Sequence, residues 1–447
     1  MTDMDTLSRR TILRGAGFAG TAGVVSLAGC TGDDDGDDGG DGDGGDGGDG
    51  GDGDDTGAGS GQLEVMHWWT AGGERDAIDA LYEGFEEEYP DISIDDNPAP
   101  GGAGDALDTE IRNRIVNEDP PGTFQIWPGK ALEPFYEVLE DVDDVWTDEV
   151  EGAYLEGVRN AASPEGTYVS VPINIHRLNN LFYNVELVDE AGVDPASIGS
   201  IDDLVGALET VQSETDAVGM ATSTQEVWVQ LQFFEMVLLS EIGADGQEEF
   251  MNGEVEAYED EVRNALQVAS DLREYYNDDA SSVTWDQANE NVISGDAAFL
   301  HNGDWAAGQY NAAEGFEYGE NWDYVPFPGT EDVYSSVMDS FVYPSNNPSP
   351  ETTEAWLTYC TTRDAQIRFN REKGSIPPRT DVDAEELDSE FLASQMEDFD
   401  ASSAQPTTIA HGSGVTPQQK SEIEGVFADF VESWDVDSAY QGLVNAF

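Results

Sequence analysis

Residues 67–74 read His67-Trp68-Trp69-Thr70-Ala71-Gly72-Gly73-Glu74: two adjacent indoles, then two glycines and a carboxylate. Such a set suits a flat, hydroxylated ligand. A pyranose offers apolar C–H faces to aromatic plates, and its rim of hydroxyls pairs with planar carboxylates, amides or cations. Polar contacts to charged groups contribute ~1.5–3 kcal/mol each and an aromatic plate about 1 kcal/mol, so a handful of them reach the ~8 kcal/mol of micromolar binding. Neighbouring strand residues point to opposite faces, so Trp68 and Trp69 each fit a core as readily as a cleft. Gly72-Gly73 lets the backbone approach a ligand closely, and Glu74 stands where a helix N-terminus stabilises an anion. Gln125, in Phe124-Gln125-Ile126-Trp127-Pro128-Gly129, carries an amide that both donates to and accepts from hydroxyls. Lys373 is one of three lysines, with Lys130 and Lys420, in a chain holding 95 acidic residues. It is read either as a ligand contact or as a solvated partner of Glu372. As a contact, its removal is expected to weaken binding by a few kcal/mol without unfolding the protein. The four histidines show neither HxH nor HxxxH spacing, so neither a metal nor another cofactor is expected. Gly101-Gly102-Ala103-Gly104 lacks the Lys-Ser/Thr ending of a phosphate loop.

The elements around these residues alternate. Leu63–Trp69 reads as a strand, followed from about Glu74 by a helix with Ile78, Leu81, Tyr82, Phe85 and Tyr89 at helical spacing. Ile92-Ser93-Ile94 reads as a second strand. A βαβ unit with parallel strands results, and ligands in such sheets bind just past the carboxyl ends of the strands, where Thr70–Glu74 lies. Further strands are predicted at 166–172, 180–184 and 297–300, and helices at 224–242 and 260–276. The class is α/β, and 447 residues imply two lobes. Cys360 lies in an apolar helical stretch and is read as a small core residue.

Charge excludes several partners. The net charge of −78 includes twelve aspartates at 31–55, leaving −66 elsewhere. Such a surface repels nucleic acid, anionic membranes and acidic substrates. Acid-rich, Lys-poor composition is like that of extreme halophiles, in which salt screens the repulsion. Ser8-Arg9-Arg10-Thr11-Ile12-Leu13 resembles a twin-arginine export signal, and Leu27-Ala28-Gly29-Cys30 looks like a lipobox. Residues 1–29 are therefore read as a lipoprotein signal peptide with Cys30 as the lipidated residue. Residues 30–61 are read as an Asp/Gly-rich disordered tether, and 62–447 as the folded domain.

Eight stretches then occur in one order: "LEVMHWWTAGGE" (63–74), "PPGTFQIWPG" (120–129), "VPINIHRLNNLFYN" (171–184), "SGDAAFLHNGDWAAG" (294–308), "FPGT" (327–330), "DSFVYP" (339–344), "KGSIPPRTDVD" (373–383) and "AHG" (410–412). Together they resemble the family-1 extracellular solute-binding proteins of ABC sugar importers, in particular the glucose/mannose-binding branch. The resemblance implies a two-lobed, periplasmic-binding-protein-like (type II) fold with a ligand cleft between lobes. It implies an N-lobe of about 62–175 and 301–340 and a C-lobe of about 176–300 and 341–447. It further implies ligand contacts from Trp68, Trp69, Glu74, Gln125, Trp285, Asp304, Trp305, Asp339, Lys373 and His411. Trp127 stands where the branch usually carries His, exchanging a polar contact for a stacking plate. Trp285 and Trp305 could equally be core residues, Asp304 a cap for the helix starting at Ala306, and Asp339 a surface acid. His67 and His176 are read as structural. The implied function is a non-enzymatic receptor at the outer face of the cell membrane, anchored there by lipid. It would deliver glucose or a similar monosaccharide to an ABC permease and its ATPase. A surface glycoside hydrolase, and a same-fold receptor for an oligosaccharide or polyol, are the alternatives.

Overall fold

The computed structural model describes residues 61–99 and 104–447. The export signal, Cys30 and the Asp/Gly-rich stretch lie outside the described residues. Strands β1 (Gly61–His67), β2 (Ile92–Pro98), β3 (Thr123–Ile126) and β4 (Ser170–Pro172) precede a short β5 (His176–Arg177). Next come β6 (Asn180–Asn184), β7 (Val218–Ala221), β8 (Ala297–Asn302) and β9 (Trp322–Pro326), then β10 (Ser336–Val337) and β11 (Ser340–Val342).

The first sheet runs β2-β1-β3-β11-β4. β1 is parallel to β2 and β3, as the βαβ reading requires, and β11 is antiparallel to β3 and β4. The second sheet runs β7-β8-β6-β9, with β7 parallel to β8 and β6 antiparallel to both its neighbours. Between the sheets β5 and β10 pair antiparallel as a two-stranded ribbon. The chain therefore leaves the first sheet along β4-β5-β6 and returns along β9-β10-β11. This is the two-lobed α/β fold.

Each lobe has its own core. Leu63, Val65, Trp69, Phe85, Trp356 and Cys360 pack in the first, and Leu181, Leu231, Phe234, Leu266, Phe427 and Leu443 in the second. Helix Val227–Met251 is long and apolar because most of it is buried in the second core.

Some expectations change. β9 hydrogen-bonds to β6 in the second sheet, although 301–340 was assigned to the first lobe. Helices Pro350–Cys360 and Arg363–Lys373 pack into the first core through Trp356, Tyr359 and Phe369, although 341–447 was assigned to the second lobe. Strand pairing and helix packing across hundreds of residues decide these memberships, and local periodicity does not encode them. β1 also stops at His67, so Trp68 and Trp69 lie in the loop past its carboxyl end.

Candidate functional site

The loop after β1 opens onto a cavity of about 310 Å³ lined from both lobes. Its walls include Trp68, Trp69, Glu74, Trp127, Trp228, Trp285, Trp305, Asp339, Lys373 and His411. Three close helix approaches set its geometry. A Cβ on Gly73 would stand 2.6 Å from the Gly308 backbone, one on Gly308 2.9 Å from the Glu372 carbonyl, and one on Gly374 2.7 Å from the Asp304 carbonyl. Helices Gly73–Glu88, Trp305–Ala312 and Arg363–Lys373 thus touch backbone to backbone, bringing Glu74, Trp305 and Lys373 to one place. The expectation for Gly73 changes accordingly: it admits a neighbouring helix. Gly72 supplies a positive φ of 53° at the helix start.

The indoles make the apolar part. The ring of Trp68 meets that of Trp127 edge-on at 5.0 Å, and Gly104, whose Cβ would stand 2.9 Å from Trp68, leaves it room. The His411 ring stands 5.2 Å from Trp127, 5.6 Å from Trp305 and 6.2 Å from Trp228. Burial, then Lys420 and His176, push the His411 imidazole down to about 3, so it is neutral at physiological pH. Trp69 is wholly buried against Phe341 and Phe369, which answers the core-or-cleft question: its bulk is core, and one edge reaches the cavity. Trp68 is half-buried, with more of its ring left for the cavity. The indole N–H of Trp69 has no acceptor among the described residues, whereas that of Trp228 faces the Glu226 carboxylate. Buried donors of this kind are rare without a partner.

The polar floor is a charge network. Lys373 Nζ donates to Glu74 Oε1 at 2.5 Å, and lies 5.9 Å from the ring centroids of both Trp69 and Trp305. Lys373 is therefore not the solvated partner of Glu372, which pairs instead with Arg371. Burial raises the Glu74 carboxyl above its ordinary value although Lys373 opposes the shift. Both His176 ring nitrogens face carboxylates: Nδ1 that of Asp304, and Nε2 that of Asp339 at 3.1 Å. Burial lowers the His176 pKa, but the two carboxylates outweigh it and the net shift is upward. Asp339 is held down to about 2, because His176, Lys373 and the Asn174 amide overcome its burial.

Two expected contacts stand behind the wall. Asp304 is fully buried: one oxygen bonds His176 and the other accepts the Arg177 backbone N–H at 2.8 Å. Its side chain does not cap the helix beginning at Trp305. Gln125 donates to Asp339 Oδ1 at 2.9 Å and accepts from the Trp68 N–H at 3.2 Å, so it holds two wall residues in place. It faces a second cavity, of about 570 Å³, on the far side of Trp68 and Trp127. Trp285 and Asp339 are both wall residues, the former fixed by its backbone N–H donating to Glu226 at 2.5 Å.

The structure adds His176, Glu226 and Trp228 to the wall. The scarcity of histidine was a signal for His176, whereas nothing in the apolar helix around Trp228 marked it as other than core. His67 is structural as read: its Nε2 donates to Asp96 at 2.7 Å, and its Nδ1 accepts from the Trp69 N–H. Among the described residues no cluster of His, Cys, Asp and Glu is arranged to hold a metal.

Comparison with known proteins gives the same frame. A xylose/arabinose-binding protein, XacG, of Haloferax volcanii is 39% identical over 396 residues, spanning 86% of this chain and 84% of its own. An ABC transporter extracellular-binding protein of Pyrococcus horikoshii is 35% identical over 388 residues, spanning 86% and 87%. The solved bacterial solute receptor AcbH, described as having an exclusive preference for β-D-galactopyranose, superposes with a TM-score of 0.75 at 17% identity, over 87% of this chain and 98% of its own. At that identity the superposition establishes the fold alone. The profile of the bacterial extracellular solute-binding proteins matches residues 71–367, and the chain belongs to that family.

Proposed function

We propose that the protein is a cell-surface receptor that captures an aldopyranose monosaccharide for an ABC importer. One observation carries this reading: an indole-walled cavity with a Glu74–Lys373 pair and Asp339 on its floor, drawn from both lobes. Rings of this kind stack on the C–H faces of a sugar, while the charged floor and the unpaired Trp69 N–H serve its hydroxyls. The relative named for xylose and arabinose favours a single small sugar, and glucose remains within the class. Contacts from both lobes favour closure on the ligand, and the closed form is what a permease would recognise. Export by the twin-arginine route and lipidation at Cys30 would hold this domain outside the membrane.

Calorimetry in molar salt with D-xylose, L-arabinose, D-glucose, D-galactose and maltose tests the proposal. Heat with one or more monosaccharides and weaker heat with maltose is expected. Heat with maltose alone would support the oligosaccharide alternative. Hydrolysis of labelled oligosaccharide, lost in Glu74→Gln, would replace the receptor by the glycosidase reading.

A further inference from the structure

Helix Val227–Met251 carries a carboxylate that faces no cation among the described residues. Glu235 is 1% exposed, with the core residues Phe234, Met236 and Leu239 around it on the same helix. Its two oxygens accept backbone N–H groups from one loop: Ile409 to Oε1 at 2.6 Å and Ala410 to Oε2 at 3.0 Å. The next residue is His411, whose ring stands against Trp127, Trp228 and Trp305 in the cavity wall. A second clasp joins this loop to the first lobe, where Lys130 Nζ donates to the Gly414 carbonyl at 2.7 Å.

We propose that Glu235 is a positioning residue of the binding site, its carboxylate clamping the 409–411 backbone so that His411 completes the indole box. The proposal rests on the receptor reading above. A carboxylate accepts both N–H groups with full charge, but on protonation one oxygen carries the proton and becomes a much weaker acceptor, so one of the two bonds is weakened. Burial pushes the Glu235 carboxyl up to about 7, with the two N–H donors opposing the shift. The other elements packed on this helix present few competing groups. β8 brings His301 and the loop brings His411, both pushed down to about 3 and neutral. Helix Pro417–Ser433 contributes Phe427 against Phe234. Helix Glu259–Asp271 and the turn before it engage Glu241 and Glu249, further along, through Asn264 and the Tyr258 hydroxyl.

The test compares the full chain with Glu235→Gln in molar salt between pH 6 and 8.5. It measures exchange protection of the Ile409 and Ala410 amides, corrected for intrinsic rates, and affinity for D-xylose and D-glucose. In the wild type, protection and affinity should fall together by about 10-fold as pH drops through 7. In Glu235→Gln both should be lower by about 10-fold at pH 8, and the protection of the two amides should no longer change with pH. Wild-type protection, or an unchanged affinity and pH profile, in the variant overturns the proposal. Should the variant not fold, a flat pH profile of the two wild-type amides overturns it and a pH-dependent one supports it. Should the wild type bind neither these sugars nor the others named above, the receptor reading fails, and amide protection still decides whether Glu235 holds the loop.

Discussion

At the scale of single residues, the cavity separates side chains that meet the ligand from those that aim others. Trp68 and Trp69 are adjacent, yet their exposures differ enough to predict different losses. Trp69→Ala should lower stability by about 3–5 kcal/mol, as for a fully buried aromatic. Trp68→Ala should mainly weaken sugar binding, with a far smaller change in the denaturation midpoint. Equal stability losses in the two variants would contradict this assignment. Lys373 revises an expectation based on sequence alone. Its removal leaves Glu74 buried and unpaired, so Lys373→Ala should cost about 3–5 kcal/mol of stability as well as affinity. Chemical denaturation of Lys373→Met and of the Glu74→Gln/Lys373→Met double variant separates the two effects, and the double variant should recover most of the stability.

At the scale of elements, the site exists because three helix ends touch without side chains between them. Gly308→Ala pushes a methyl toward the Glu372 carbonyl, and should weaken binding at least tenfold while leaving helix content by circular dichroism unchanged. The His176 bridge belongs to this scale too, because it ties β5 to the loop after β8. Its folded pKa is raised above 6.5, so its contribution is complete below that value and is lost as pH rises through the folded one. Glu235 slopes the same way over a lower range, since a carboxylate raised to about 7 costs stability as pH climbs from 4.5 to 7. The denaturation midpoint in molar salt should therefore fall on going from pH 6.5 toward 9, and His176→Gln should flatten that decline. A wild-type slope that survives in His176→Gln would contradict the assignment.

At the scale of the whole molecule, charge dominates. A net −66 outside the Asp-rich segment is repulsive at every range that salt leaves unscreened. The screening length shrinks from about 10 Å at 0.1 M salt to about 3 Å at 1 M. The melting temperature should therefore rise steeply between these concentrations, and a flat melting temperature would contradict the halophilic reading. Of the three lysines of this acidic chain, Lys373 stands on the cavity floor, Lys130 clasps the 409–414 loop, and Lys420 lines the second cavity, 6.0 Å from the Trp127 ring.

By itself the sequence determined the α/β class and the first βαβ unit, and its resemblance to the solute-binding family pointed to most of the residues that line the cavity. The class and the βαβ unit follow from local periodicity, while the wall residues rest on eight motifs in the family's order, with Lys373 singled out as well by the scarcity of lysine. Tertiary structure decided what local pattern cannot hold. β9 joined the second sheet because its hydrogen bonds run to β6, and helix Arg363–Lys373 joined the first lobe because Phe369 packs on Trp69. Asp304 and Gln125 became supports, since their partners lie well over fifty residues away. His176 became a bridge only when two distant carboxylates met at its ring, and Glu235 reached its loop across 174 residues of chain. Long-range contacts assign each side chain its neighbours, and the neighbours decide whether a carboxylate binds a ligand or holds the group that does.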